Sequence, residues 1–368
     1  MRTLNFTEIL MEKKRVVIGM SGGVDSSVAA YLLKQQGYDV VGLFMNNWED
    51  DGVCTAADDW DDVRAVCAKL EIPYYSIDFS KQYKDRVFSY FLEEYKNNRT
   101  PNPDVLCNRE IKFGPFADYA RKLGADYVAT GHYCDISHDG DHRLLCAADD
   151  NKDQTYFLNQ VKTEQLRDVI FPLGKLEKEE VRVIAEQMGM VTAKKKDSTG
   201  ICFIGERNFR NFLKGYLPMQ AGDIIDLNGK KVGKHIGLAY YTLGQRRGLG
   251  IGGVSGIDGD RWYVVEKRLK GNLLVVSCGE GEELMSDGLH GSGINWIGQS
   301  PQQNFKCTAK FRYRQKAEPV SVEWSGDKIT VYFDNPQRAV TPGQFAVFYD
   351  GNRCLGGAVI ESTFCNGK

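Results

Sequence analysis

Long apolar runs are missing from this chain. None approaches the roughly 20 residues that cross a bilayer, and the leading residues 1–14 include the apolar pair Ile9 and Leu10 beside the acidic Glu8 but no long apolar stretch. A membrane protein and a signal peptide are both excluded on that pattern, so a cytoplasmic protein with no membrane partner is expected. Cysteine is sparse, ten in 368 residues, which excludes a disulfide-stapled scaffold. With no Cys-x-x-Cys and five histidines, a structural zinc site is not expected and no residue is assigned as a metal ligand. A strong excess of either charge is absent too: the net charge is −2. The charges are unevenly spread, however. Glu49–Asp51 and Asp58–Asp62 are acidic, whereas Lys194–Lys196, Arg246–Arg247 and Arg312–Lys316 are basic. Such local basic surface can hold a polyanion, and each cluster can equally be a solvated face.

Apolar residues make up 42% and charged residues 26%, ordinary for a protein with a sizeable core, and the length suits two or three domains. From Lys14 to about Gly131, short β-branched runs alternate with amphipathic stretches. Arg15–Met20, Asp39–Met45, Tyr74–Phe79 and Tyr127–Thr130 read as strands. Asp25–Gln36 reads as a helix stopped by Gly37, and Asp61–Leu70 as a second helix with Val63, Val66, Cys67 and Leu70 on one face. Strands alternating with helices predict parallel pairing in a doubly wound α/β sheet. After about Arg207 glycine becomes frequent, and Gly244–Gly253 reads as a flexible basic loop. Beyond Gly271, Asn272–Ser277, Lys306–Gln315, Pro319–Trp324, Lys328–Phe333 and Gln344–Tyr349 read as short strands, separated by turn signals at Asp334-Asn-Pro and Asp350-Gly-Asn. The expected division is a catalytic α/β domain over 1–207, a small central domain over 208–273 and an antiparallel β-barrel over 274–368.

The strongest local signal is Gly19-Met-Ser-Gly-Gly-Val-Asp-Ser-Ser27 between a strand and a helix. Small residues let backbone N–H groups approach phosphate oxygens, and the helix N-terminus adds a favourable dipole. Ser21, Ser26 and Ser27 supply hydroxyls, while Asp25 either caps the helix or helps hold magnesium on phosphates. The loop lacks the Lys-Ser/Thr ending of a Walker A sequence. Two cysteines occupy unusual settings. Cys107 follows Thr100-Pro-Asn-Pro-Asp104, where the prolines stiffen the backbone. Cys202 lies between glycines after Lys194–Lys196, whose charge would favour a thiolate. Either one, taken singly, reads as well as a structural residue.

Ser-Gly-Gly-Val-Asp-Ser resembles the pyrophosphate loop of the ATP pyrophosphatase superfamily, whose members cleave ATP to AMP and pyrophosphate and place AMP on a carbonyl or carboxyl oxygen. The further stretches Gly42–Met45, Pro101–Asp104, Ala129–Tyr133, Asp149–Phe157, Asp197–Gly205, Leu243–Arg246, Arg312–Gln315 and Thr341–Gln344 resemble the tRNA 2-thiouridylase family within it. The resemblance implies ATP and Mg2+ as cofactors. It also implies two partners: the anticodon loop of tRNA, and a persulfide donor such as a cysteine desulfurase or relay protein. Carried over by position, Gly19, Met20, Ser21, Gly22, Gly23, Val24, Asp25 and Ser26 would bind ATP phosphates, with Met45 and Gly131 beside the adenosine. Cys202 would carry the persulfide, Cys107 would be the nucleophile that releases the sulfur, and Asp104 would act as general acid/base. Asn102, Pro103 and Asp104 would meet the target uridine; Lys152, Asp153, Gln154, Arg312 and Tyr313 would contact tRNA. The bland alternatives are a turn residue at Asp104, a surface pair at Lys152 and Asp153, and opposite-facing strand residues at Arg312 and Tyr313. His132 reads as a satisfied interior histidine. Two other functions fit parts of the pattern: a nitrogen-transferring adenylating ligase, and a tRNA-binding protein without catalysis.

Overall fold

A computed structural model describes residues 13–48, 56–137, 140–196, 209–251, 261–279 and 281–365. The first sheet is parallel. It contains β1 (Arg15–Met20), β2 (Asp39–Asn46), β3 (Tyr74–Asp78), β4 (Tyr127–Ala129) and the short strand Val169–Ile170, in the order β3-β2-β1-β4-Val169–Ile170. Val16, Val17 and Ile18 of β1 have no exposed surface, because helices cover both faces. Val16 and Ile18 pack toward α1 (Val24–Gln35) and the helix Lys178–Gln187, while Val17 packs toward Ile111, Phe116 and Ala120. Gly37 ends α1 at φ +89°, as a C-terminal glycine stop should. The second helix, α2, spans Ala56–Leu70 and so starts earlier than its apolar face suggested. Its added first turn is polar and carries Asp58 and Asp59, which favour the positive end of a helix dipole.

The central unit is a four-stranded sheet in the order Trp262–Arg268, Leu273–Cys278, Gly222–Ile225, Lys231–His235. Leu273–Cys278, expected as the opening strand of the barrel, pairs instead inside this sheet, antiparallel to Trp262–Arg268 and parallel to Gly222–Ile225. The barrel itself is antiparallel and closed. Its six strands run in the order Met285–Trp296, Lys328–Arg338, Glu318–Ser325, Asn304–Lys310, Phe345–Asp350 and Arg353–Phe364, and the last pairs back to the first. Two expectations need correction here. Asp334-Asn-Pro336 is no turn: the strand continues to Arg338, and the pairing jumps from Tyr332↔Gly288 to Gln337↔Ser286, so these residues form an extended bulge, a place where proline is tolerated. The strand beginning at Asn304 stops at Lys310, so Arg312 and Tyr313 lie in a turn in which Arg314 has φ +66°.

The units are joined through shared cores. Leu213, Val264 and Leu274 of the central unit belong to one apolar cluster with Val17 and Val41 of the parallel sheet, and Phe212 meets Phe88 edge-on at 5.9 Å, Phe88 itself lying 4.9 Å from Trp48. The α/β unit also extends the barrel wall: Leu144 and Leu145 pair with Cys354 and Arg353. Lys267 of the central sheet donates from Nζ to the Asn98 carbonyl at 2.9 Å, and burial pulls its pKa from 10.5 down to about 8. Between those values the unfolded chain carries a proton that the folded chain lacks, so this group makes the protein more stable as pH rises through that window. Urea unfolding at pH 8 and pH 10 should register this increment in the native chain and lose it in Lys267→Met.

Candidate active site

The order of the parallel sheet reverses direction at β1 and β4, and the carboxyl ends of such neighbouring strands form the crevice where open α/β sheets bind ligands. The loop Gly19–Ser27 leaves β1 there, and Gly131 follows β4. Their approach is close: a Cβ on Gly131 would stand 2.9 Å from the Ser26 nitrogen, and one on Gly22, at φ +72°, would stand 2.6 Å from the Asp59 carbonyl oxygen. Hydroxyls hold the loop from inside. Ser26 Oγ accepts from the Ser21 N–H at 3.2 Å and donates to the Gly23 carbonyl at 3.2 Å, while Ser27 Oγ donates to the same carbonyl at 2.8 Å. Helix α1 begins on Gly23, which has no side chain with which to cap it, and the first N–H groups of a helix have no acceptor within it. That donor set suits a polyphosphate. Met45, at the end of β2, packs half-buried against the apolar cluster that contains Val17 and Leu43.

Asp25 is not a simple helix cap. Its Oδ1 accepts from Lys178 Nζ at 2.6 Å and from the Tyr133 hydroxyl at 2.8 Å, and the lysine also lies 5.7 Å from the Tyr133 ring centre. Lys178 opens the helix Lys178–Gln187, and its own N–H donates to Asp149 Oδ2 at 3.0 Å. The other Asp149 oxygen accepts from the Asn151 and Lys152 N–H groups. One buried lysine thus links the loop to two stretches distant in sequence. With one Asp25 oxygen so engaged, a magnesium ion here would rest on phosphate oxygens, with at most the second carboxylate oxygen from the protein. Nothing local in the sequence marks Lys178, an amphipathic helix's first residue among the neighbours Glu177, Glu179 and Glu180.

Asn102, Pro103, Asp104 and Cys107 occupy a helical turn, Pro103–Cys107, rather than a loop. Asn102 Oδ1 caps it by accepting from the Val105 N–H at 3.4 Å, and proline takes the first position. The chain then continues through Asn108–Phe116, which winds with π-helical spacing and breaks at Gly114 and Pro115. This run carries Phe116 to the loop, where its ring would be 3.3 Å from a Cβ on Gly19. Cys107 is buried, 1% exposed, in the cluster that holds Val17 and Phe116. Asp104 is half-buried, and desolvation raises its pKa above the ordinary carboxylate value, against a smaller opposing pull from Lys112. Cys202 lies outside the described residues. Its basic neighbour Lys195 does not stand free as the sequence suggested: it pairs with Asp59 at 2.7 Å and with Asp62. One lysine of the basic run is thus neutralised by two aspartates of the acidic cluster.

The RNA-contact candidates fall into one patch. Tyr313 packs on Phe157 with ring centres 4.4 Å apart, three residues beyond Gln154, and Arg312 beside it is exposed. Gln154 is tied to the site, its Oε1 accepting from the Tyr133 N–H at 3.0 Å and its N–H donating to the Tyr133 carbonyl at 2.8 Å. Asp153 is no surface partner of Lys152. It is buried, accepts from Thr155 Oγ1 at 2.8 Å and pairs with Lys310 of the barrel at 3.2 Å. His132 is buried as expected, its Nδ1 2.7 Å from Thr130 Oγ1, and burial holds its pKa well below the usual imidazole value. Burial also pushes up the thiols of Cys67 and Cys307, each to about 12, and of Cys146 to about 11; these are packing residues.

Comparison with known proteins adds three matches to family models. Residues 14–206 match the tRNA methyl transferase HUP domain, 210–278 the tRNA methyl transferase PRC-barrel domain, and 286–360 the aminomethyltransferase beta-barrel domain. Among curated proteins, the chain is 58% identical over 363 residues to the tRNA-specific 2-thiouridylase MnmA of Streptococcus sanguinis, covering 97% of both chains. It is 57% identical to that of Exiguobacterium sibiricum, covering 97% of this chain and 96% of the other, and 59% identical to that of Staphylococcus aureus, covering 96% of both. A solved structure, the U34-tRNA thiolase NcsA from Methanococcus maripaludis, aligns over 53% of this chain and 64% of its own, at 21% identity and a TM-score of 0.36.

Proposed function

Because this chain belongs to the tRNA-specific 2-thiouridylase family, we propose that it replaces the 2-oxo oxygen of the wobble uridine of tRNA with sulfur, spending one ATP as AMP and pyrophosphate. The observation that supports this reading is the site itself: Phe116 packs in one apolar cluster with the buried Cys107 and lies against Gly19 at the start of the glycine loop. A carbonyl oxygen leaves poorly and a phosphate ester of it leaves well, which is the reason to couple ATP to the exchange.

In the proposed sequence, ATP lies on Gly19–Ser26, with the adenosine between Met45 and Gly131. Magnesium, carried on the phosphates, would neutralise their charge. The uracil O2 attacks the α-phosphorus, and pyrophosphate leaves. Cys202 carries a persulfide. Either its terminal sulfur attacks C2 and AMP departs, after which the Cys107 thiolate attacks Cys202 Sγ and frees the thiolated base, or Cys107 first attacks Cys202 Sγ to release hydrosulfide, which then attacks C2. Both routes end with a Cys107–Cys202 disulfide that an external thiol reduces, so the electrons balance. Asp104, whose burial favours its protonated form, moves the proton at the base. Asn102, Pro103 and Asp104 receive the uridine, which is splayed from a single-stranded loop at little cost. Arg312, Tyr313, Lys152 and Gln154 grip the RNA, while Asp153 lies buried beneath them on Thr155, Ala147 and Lys310.

Methyl transfer, named in the descriptions of two matched models, requires neither the glycine loop nor a thiol pair, and the thiolation reading uses both. The test is direct. Purified protein is incubated with unmodified tRNA, ATP and a persulfide donor, and AMP and 2-thiouridine are measured together; AMP without 2-thiouridine, or neither product, overturns the reading.

Asp104 yields a separate expectation. A carboxyl whose folded-state pKa is raised favours folding below its unfolded value of 3.8 and opposes it once ionised. Asp104→Asn should therefore raise the thermal midpoint at pH 7, with the gain shrinking toward pH 4, while thiolation falls by about a hundredfold. A lower midpoint at pH 7 would remove the desolvated-acid assignment.

A further inference from the structure

Residues 98–101, immediately before the Asn102–Asp104 turn, are gripped by all three parts of the molecule. The central unit holds them through Lys267 Nζ on the Asn98 carbonyl, at 2.9 Å, and through Thr242 Oγ1, 3.4 Å from Thr100 Oγ1. The barrel holds them through Gln344 Nε2 on the Thr100 carbonyl, at 2.8 Å, and through the Pro342 carbonyl, which accepts from the Thr100 N–H at 3.0 Å. Gly343 lies so close that a Cβ there would be 2.9 Å from the Thr100 nitrogen. At the centre stands Arg99. Its guanidinium pairs with Glu94 of the preceding helix at 2.7 Å and with Glu361 of the barrel, and it donates to the Ile360 carbonyl at 3.2 Å. Glu361 is held in turn by the Ser292 hydroxyl at 2.5 Å. The Thr341–Gln344 motif has no role in the proposed chemistry, and this contact gives it one.

We infer that Arg99 is a positioning residue: clamped between Glu94 and Glu361, it fixes the segment from which Asn102 and Asp104 project, so the barrel sets the geometry of the uridine pocket. An extended segment held at both sides by other units has little freedom to drift, and small misplacements of reacting groups are costly to rate. The clamp rests on the thiolation reading and does not require Arg99 to touch RNA.

The experiment uses the full chain with Arg99→Gln, Glu361→Gln, the double variant and Arg99→Lys. Readouts are the single-turnover rate of 2-thiouridine formation, the Kd for tRNA, the thermal midpoint and the alkylation rate of Cys107. Arg99→Gln is expected to slow thiolation at least tenfold with tRNA Kd unchanged within twofold, and to speed alkylation of Cys107. The double variant should be no slower than the slower single variant, because both break one clamp, and Arg99→Lys should recover part of the rate. Parallel loss of rate and tRNA affinity would make Arg99 an RNA contact and overturn the inference. So would additive losses, or a wild-type rate once the assay is cooled to offset a lower midpoint. If the native chain itself forms no 2-thiouridine, the functional reading fails instead, and the two failures are distinct.

Discussion

Cys107→Ser is expected to lower 2-thiouridine formation by at least about a thousandfold, the scale on which removal of a catalytic nucleophile acts. The release of pyrophosphate in a single turnover should stay within about threefold, since activation of the base precedes sulfur transfer and uses the glycine loop. Because the site is only 1% exposed and apolar, the buried hydroxyl costs about 1–3 kcal/mol, and the thermal midpoint is measured alongside the rate. The variant should also retain the sulfur on Cys202, as a disulfide adduct with the base if the persulfide attacks C2 directly or as the free persulfide if hydrosulfide is the attacking species, and mass measurement of the alkylated peptide separates the two. Undiminished 2-thiouridine formation by Cys107→Ser would remove Cys107 as the nucleophile. Loss of pyrophosphate release along with thiolation would instead give Cys107 a part in the first step.

The second large effect concerns Lys178. Lys178→Met is expected to lower pyrophosphate release by about a hundredfold or more, because Asp25 would lose the partner that aims its carboxylate at the mouth of the loop. The stability cost is separable from that loss. Breaking a fully buried ion pair costs about 3–5 kcal/mol, but the Asp25 side chain is one-third exposed, so water screens it and about 1–3 kcal/mol is a fairer expectation. Pairing Lys178→Met with Asp25→Asn removes the stranded charge. The double variant should regain most of the thermal midpoint and none of the pyrophosphate release. If activity returns together with stability, the pair is a structural strut and nothing more.

The parallel sheet could be read from the chain because β-branched runs and helical faces alternate at a spacing that only crossover units satisfy, and Ser21-Gly-Gly23 sits where a strand must turn into a helix. Beyond residue 303, the strands at Glu318–Ser325 and Phe345–Asp350 and the start of Lys328–Arg338 were legible from β-branched and aromatic runs, whereas Arg353–Phe364 was not read and the supposed turn at Asp334–Pro336 is a bulge. What escaped was set by contacts between remote segments. Leu273–Cys278 looks like any other strand until its partner at Gly222–Ile225 is known. Lys195 and the Asp59/Asp62 pair are 133–136 residues apart, so their mutual neutralisation leaves no local trace. Asp153 carries a charged residue's signature but is buried because Thr155 and Lys310 satisfy it. Lys178 escaped likewise, since its meaning comes from Asp25, 153 residues earlier. The resemblance supplied what pattern could not, the assignment of roles to Cys107 and Asp104.

The grip of residues 342–361 on Thr100 and Arg99 also bears on how the molecule is made. Domains commonly fold in order as they leave the ribosome, the first one well before the last is synthesised. Here the parallel sheet is complete by Ile170, yet the turn carrying Asp104 receives its final support only when Gln344 and Glu361 emerge, some 170–190 residues later. On the proposed reading, a nascent chain would therefore form the Gly19–Ser27 crevice before the Asn102–Asp104 turn gains its support from the barrel.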